Sequence, residues 1–69
     1  MTNTNELKKA IERKGLKNNY LAAQMGVSIG TFSRKLNNKV EFRLSEIKCL
    51  WKILELTGEE VNSIFFSQK

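Results

Sequence analysis

Proline, histidine and aspartate are absent from this 69-residue chain, and cysteine, tryptophan and tyrosine occur once each. Each absence excludes something. Without proline, no helix need be broken or kinked by a missing N–H. Without histidine, a zinc site or an imidazole-based catalytic centre has almost nothing to work with. Seven glutamates spread over helix faces with no evident nucleophile give no sign of an enzyme. A single cysteine, Cys49, permits no intramolecular disulfide, which fits a reducing, cytoplasmic setting. No apolar run approaches the roughly 20 residues of a membrane span. The opening MTNTNELKK carries no apolar signal core, so export is not expected. A chain of this length is expected to form one domain, residues 1–69, with frayed ends at about 1–3 and 67–69. Its core is small, so stability leans on regular helix packing or on a partner subunit.

Positive charge is what the chain does have. The net charge is +5, unevenly distributed. Residues 8–43 hold nine basic and two acidic residues, a net of +7, and residues 44–69 hold three basic and four acidic, a net of −1. A positive field confined to one segment suits a polyanionic partner, although charge alone also serves solubility.

Helical spacing runs through nearly the whole chain and strand-like alternation is missing, so the fold class is all-α. A first helix is expected at about Asn5–Lys14. Asn3 is its cap, Leu7, Ala10 and Ile11 are its buried stripe, and Gly15 is its stop. A second is expected at about Asn18–Met25, ended by Gly26. A third runs from the cap Ser28 to about Asn37. Residues 38–43 connect, with Phe42 as an anchor to the core. A fourth helix, about Leu44–Leu56, places Leu44, Ile47, Leu50, Trp51 and Leu54 on one side, widened by Cys49, Ile53 and Leu56. This reading makes it the central, most buried helix, with Trp51 and Cys49 in the core. Thr57 and Glu60 form a capping box opening a short fifth helix, whose Val61, Ile64 and Phe65 face inward. Ile64, Phe65 and Phe66 cannot all face one way, so Phe66 is the candidate for an exposed dimer surface.

The stretch Leu16–Asn37 thus reads as two short helices joined at Met25-Gly26-Val27, with small residues where they approach. Within it, Leu21-Ala22, Met25-Gly26-Val27-Ser28 and Thr31-Phe32-Ser33-Arg34 fall in register. This pattern resembles the helix-turn-helix of the Cro and lambda-repressor-like family of phage and bacterial regulators. The similarity extends over about residues 5–66. It implies a compact five-helix DNA-binding domain, with the helix-turn-helix at about 18–37, that acts as a homodimer on double-stranded DNA.

Carried over by position, the resemblance implies base contacts from Ser28, Ile29, Gly30, Ser33 and Arg34. Arg34 is the strongest, because a guanidinium can bond guanine O6 and N7 together. Ile29 either packs on a thymine methyl group or extends the core stripe, lying about 20° from Leu36 at 100° per residue. The core is the place expected for it. Gly30 has no side chain to read with. It and Ile29 depart from the polar residues that the family often carries there. The implied phosphate contacts are Lys17, Asn18 and Asn19 before and within the second helix, and Asn37, Asn38, Lys39 and Arg43 after the third. Asn18 and Asn19 have helix capping as the alternative. Lys35 reads as a solubilising charge. The function expected is a small transcriptional regulator of Cro type that occludes a promoter, with no cofactor and no metal. The alternative is a phage antirepressor or modulator that grips a repressor protein instead of reading DNA.

Overall fold

The computed structural model describes residues 2–66, and they are helical and turn in structure, with no strand among them. Helix α1 spans Thr4–Lys14, α2 Asn18–Met25, α3 Ile29–Leu36, α4 Leu44–Ile53 and α5 Gly58–Val61, the last continuing as a wider π-turn, Asn62–Phe66. The all-α, five-helix expectation holds. The expected end at 67–69 lies outside the described residues.

Local chemistry explains the boundaries. The Asn3 side chain accepts the Glu6 N–H at 3.2 Å and starts α1. The Ser28 hydroxyl accepts the Thr31 N–H at 3.1 Å and starts α3. Thr57 and Glu60 satisfy one another's N–H groups at 2.9 and 3.0 Å, as a capping box does. Gly26 closes α2 at φ 74°, a left-handed conformation that costs glycine nothing, and the Val27 N–H turns back to the Ala22 carbonyl at 3.0 Å. That closure reverses the chain within three residues and lets α2 pack on α3.

The core collects one side of every helix. Leu7, Leu21, Phe32 and Leu50 are wholly enclosed, and Leu54 nearly so. Phe42 holds the 38–43 connection down, as expected. It meets Phe32 edge-on at 6.3 Å and Phe65 at 5.6 Å between ring centroids. Such edge-to-face pairs add to simple area burial.

The N-terminus is tied in further than expected. Thr2 is buried. Its carbonyl accepts the Asn38 side-chain N–H at 3.1 Å, and the Asn3 N–H reaches the Ile64 carbonyl at 2.6 Å. Residues 2 and 3 therefore dock on the 38–43 connection and the C-terminal π-turn instead of fraying.

The largest departure concerns Lys35 and α4. Lys35 is no surface charge: only 3% of it is exposed. Its ammonium donates to Glu46 at 3.0 Å and to the Glu41 carbonyl at 2.9 Å, and it lies 5.8 Å from the centre of the Phe42 ring. Glu46 also accepts the Arg43 N–H at 2.8 Å, which starts α4. On a wheel of about 100° per residue, Glu46 lies about 160° from Leu44 and opposite Trp51. Burying Glu46 therefore turns Leu44 and Trp51 to the surface, where they are 60% and 42% exposed. Ile47, Leu50 and Leu54 remain as the inward stripe.

Helix α4 also ends earlier than its apolar spacing suggests. Glu55 takes a left-handed φ of 52°, and the Leu56 N–H returns to the Trp51 carbonyl at 3.1 Å. This turn sends Leu54 and Leu56 into the core together. Cys49 is half-buried, its Sγ 3.6 Å from the Gln24 carbonyl at the α2–α4 contact.

Two outcomes follow. Lys35→Met strands the Glu46 carboxylate in the interior and is expected to cost about 3 kcal/mol or more, whereas Lys35→Met combined with Glu46→Leu should restore most of that. Urea unfolding followed by circular dichroism measures both, and a double variant no more stable than the single one would assign the loss to packing instead. Stability should also fall in acid. The Lys14 ammonium at 2.7 Å holds Glu55 below its ordinary value of 4.5, and the Thr57 N–H does the same for Glu60, aided by Arg13. The unfolded chain therefore binds protons first. The contribution of these carboxylates is complete above about pH 4.5 and is lost as pH falls through their lower folded values. Glu55→Gln with Glu60→Gln should flatten the dependence of the urea midpoint on pH below 5.

Candidate nucleic-acid interface

Helix α3 divides cleanly. Phe32, Lys35 and Leu36 face inward, Thr31 is half-buried, and Ile29, Gly30, Ser33, Arg34 and the following Asn37 are exposed. At about 100° per residue, those five outward positions fall within one arc of about 140°. The base-contact candidates on α3 thus share a single face.

Their states differ. Ile29 is 51% exposed, so it does not extend the core stripe. The inward sector is already filled by Phe32, Leu36 and the Lys35 stem, and at the first helical position Ile29 overhangs solvent. Ser28 is largely committed to the fold. It caps α3, and its hydroxyl donates to Thr31 Oγ1 at 3.0 Å, leaving it only acceptor capacity for a ligand. Thr31 Oγ1 also accepts from Arg34 Nη2 at 3.3 Å. Thr31, quoted only as part of the sequence pattern, is therefore the residue that orients the Arg34 guanidinium. Its position one turn before Arg34 was the available signal. Ser33 is exposed.

The flanking candidates also separate. Lys17 is the N-cap residue of α2 in extended conformation and makes no side-chain cap. Asn18 and Asn19 follow it as the first two helical residues, so they are not caps, and both are exposed. No side chain accepts from the N–H groups that open α2. Its first N–H groups and positive dipole end stay available to an anion. Tyr20, overlooked in the sequence, is 47% exposed in the same turn. Its place opposite Leu21, Ala22 and Met25 on the helical wheel signals that exposure.

After α3, Asn37 turns its amide back to the Ser33 carbonyl at 3.0 Å. Asn38 stands at a left-handed φ of 60° with its amide on Thr2, and belongs to the fold. Each spends one of its two amide hydrogens in this way and keeps the other for a ligand. Lys39 and Arg43 are exposed. Phe66, at the end of the π-turn, is 48% exposed.

Ion pairing redraws the charge map. Of the nine cations in residues 8–43, Arg13, Lys14 and Lys35 are bound by Glu60, Glu55 and Glu46. Lys17, Arg34, Lys39 and Arg43, which bracket and occupy the exposed face, have no carboxylate partner among the described residues.

Gly30 calls for a reason. A Cβ built there would find nothing nearer than Ser28 Oγ at 4.0 Å. The chain itself does not require glycine at that position, yet glycine in a helix is about 0.8–1.0 kcal/mol less favourable than alanine. Gly30→Ala should therefore raise the stability by about that amount in urea unfolding. A destabilised variant would mean that the position is crowded after all.

No curated protein matches the chain. A family model described as "Protein of unknown function (DUF739)" matches residues 4–68, and the chain belongs to that family.

Proposed function

We propose that this protein is a DNA-binding transcriptional regulator of the Cro type, which places α3 in the major groove of operator DNA. The observation that carries the reading is the outward arc of α3, with its orienting Thr31 and four unpaired cations on and beside it. A helix needs about this width of exposed face to reach base edges while its back is held by a core. Arg34 reaches guanine, and Ser33 bonds a base or an adjacent phosphate. Lys17, the N–H groups at the start of α2 with Asn18 and Asn19, Lys39 and Arg43 hold the phosphates on either side. Two copies would set their α3 helices in successive major grooves about one turn apart, with Phe66 as the candidate contact between them. Promoter occlusion is the mode of action this arrangement suits, and the cell cytoplasm is its place.

A second reading draws on one feature. Ile29 beside Gly30 makes part of the α3 face flat and apolar, which would also suit a repressor protein as the partner. The two readings part on salt. Phosphate contacts release counterions, so DNA affinity should fall steeply as salt rises.

Fluorescence anisotropy on the DNA upstream of the gene is the test. Lys39→Ala should weaken specific and random duplexes alike and lower the salt slope by about one. Arg34→Ala should erase about 1–3 kcal/mol of preference for the specific site. Equal losses on both DNAs for Arg34→Ala would remove it from the base-reading set. Absence of binding at low salt, together with co-purification of a repressor, would reject the DNA reading for the modulator.

A further inference from the structure

We infer that Ile29 is a specificity residue that reads the 5-methyl group of a thymine, and that Gly30 allows α3 to seat closely enough for it to do so. This inference rests on the DNA-binding reading and narrows it to a sequence feature of the site.

Two observations on the fold meet here. Ile29 opens α3 with half its surface in water, on a helix whose core contacts are already made by Phe32 and Leu36. A β-branched side chain on a helix has one strongly preferred χ1 rotamer, so its methyl groups are presented in a fixed direction with little entropy left to lose. Gly30, the next residue, leaves open space where a Cβ could stand, at a cost in helix stability that no intramolecular contact explains. A missing side chain on an outward face shortens the distance at which another surface can approach the backbone. Beside it, Ser33 lies one turn after Ile29 and adds only a small hydroxyl.

The chemistry of the groove selects the ligand. The floor of the major groove offers hydrogen-bonding groups at every base pair and one apolar group, the thymine methyl. Placed against any other base edge, Ile29 would desolvate polar atoms without a partner. On the arc, Ile29 and Arg34 mark the two edges with Gly30 between them, so the apolar and the cationic readers address different base pairs. They are five residues apart, or about 7.5 Å along the axis, roughly two base-pair steps. The half-site should therefore hold a thymine about two base pairs from the guanine that Arg34 reads.

The test uses the full chain. Duplexes are selected from a random pool at low salt, and each thymine of the selected site is replaced singly by deoxyuridine. Deoxyuridine lacks only the methyl group and pairs as thymine does. One thymine in each half-site should lose about fourfold in affinity on this replacement, the effect of removing one buried methyl. Ile29→Ala, an exposed substitution that leaves the core intact, should bind the thymine and deoxyuridine sites equally. Gly30→Ala should fold more stably yet bind the selected site more weakly. A site selected with clear preference but indifferent to every deoxyuridine, or a loss undiminished in Ile29→Ala, overturns the inference and leaves DNA binding standing. Undiminished binding by Gly30→Ala overturns the close-approach role. Failure to bind any duplex at low salt overturns the DNA-binding reading and the inference with it.

Discussion

The buried pair of Lys35 and Glu46 is the constraint on which the arrangement of this molecule turns. Its two side chains are almost wholly removed from water. Desolvating two charges costs several kcal/mol per ion, and a well-packed apolar pair would often be as stable or more so. What the pair supplies is position. Lys35 reaches from the back of α3 to Glu46 on α4 and to the Glu41 carbonyl, while Glu46 also holds the Arg43 N–H. Four points of the chain between residues 35 and 46 are thus joined through two side chains, with Phe42 packed beneath the ammonium. A simple apolar contact would tolerate sliding and rotation between α3 and α4. A hydrogen-bonded ion pair with fixed partners does not, because every displacement leaves a buried charge unsatisfied.

The same logic governs the surface. The chain is basic in its first part and slightly acidic in its last, and folding lays one on the other. Glu46, Glu55 and Glu60 all come from the acidic part and all take cations from the basic part. The pairing neutralises Arg13 and Lys14 at the end of α1 and Lys35 inside, and leaves Lys8, Lys9, Lys17, Arg34, Lys39 and Arg43 without a carboxylate partner among the described residues. Under the proposed reading, four of those six, Lys17, Arg34, Lys39 and Arg43, border or occupy the DNA-facing arc. The net charge of the chain understates that local field, since several of the positive charges elsewhere are already answered.

Much of the fold was legible in the sequence because it is written locally. Asn3, Ser28 and the Thr57–Glu60 box satisfy N–H groups three residues away, and Gly15 and Gly26 close helices by their own conformational freedom. Leu7, Ala10 and Ile11 repeat at helical spacing and are buried as that spacing requires. What escaped depends on partners distant in space or on competition between faces. Helical spacing sets Lys35 beside Phe32 and Leu36, but a lysine there reads as a surface charge until its partner is known, and that partner lies eleven residues on, across a loop. Once Glu46 turns inward, Leu44 and Trp51 must turn out, although their spacing alone places them with Ile47 and Leu50. The docking of Thr2 on Asn38 bridges just over half the chain and left no local trace. The candidate site followed the same division: the outward arc of α3 was readable from periodicity, whereas the partly engaged amides of Asn37 and Asn38 and the support of Arg34 by Thr31 required coordinates.

The central claim is that the outward arc of α3, with the start of α2 and the 39–43 segment, forms a single DNA-facing surface. Amide chemical-shift mapping on isotopically labelled protein, titrated with duplex DNA, addresses it most directly. The account predicts changes concentrated at residues 17–20, 28–34 and 39–43, with the Trp51 indole on the surface of α4 left unmoved. Changes centred on Leu44–Lys52, or spread evenly over the basic residues of every helix, would contradict it.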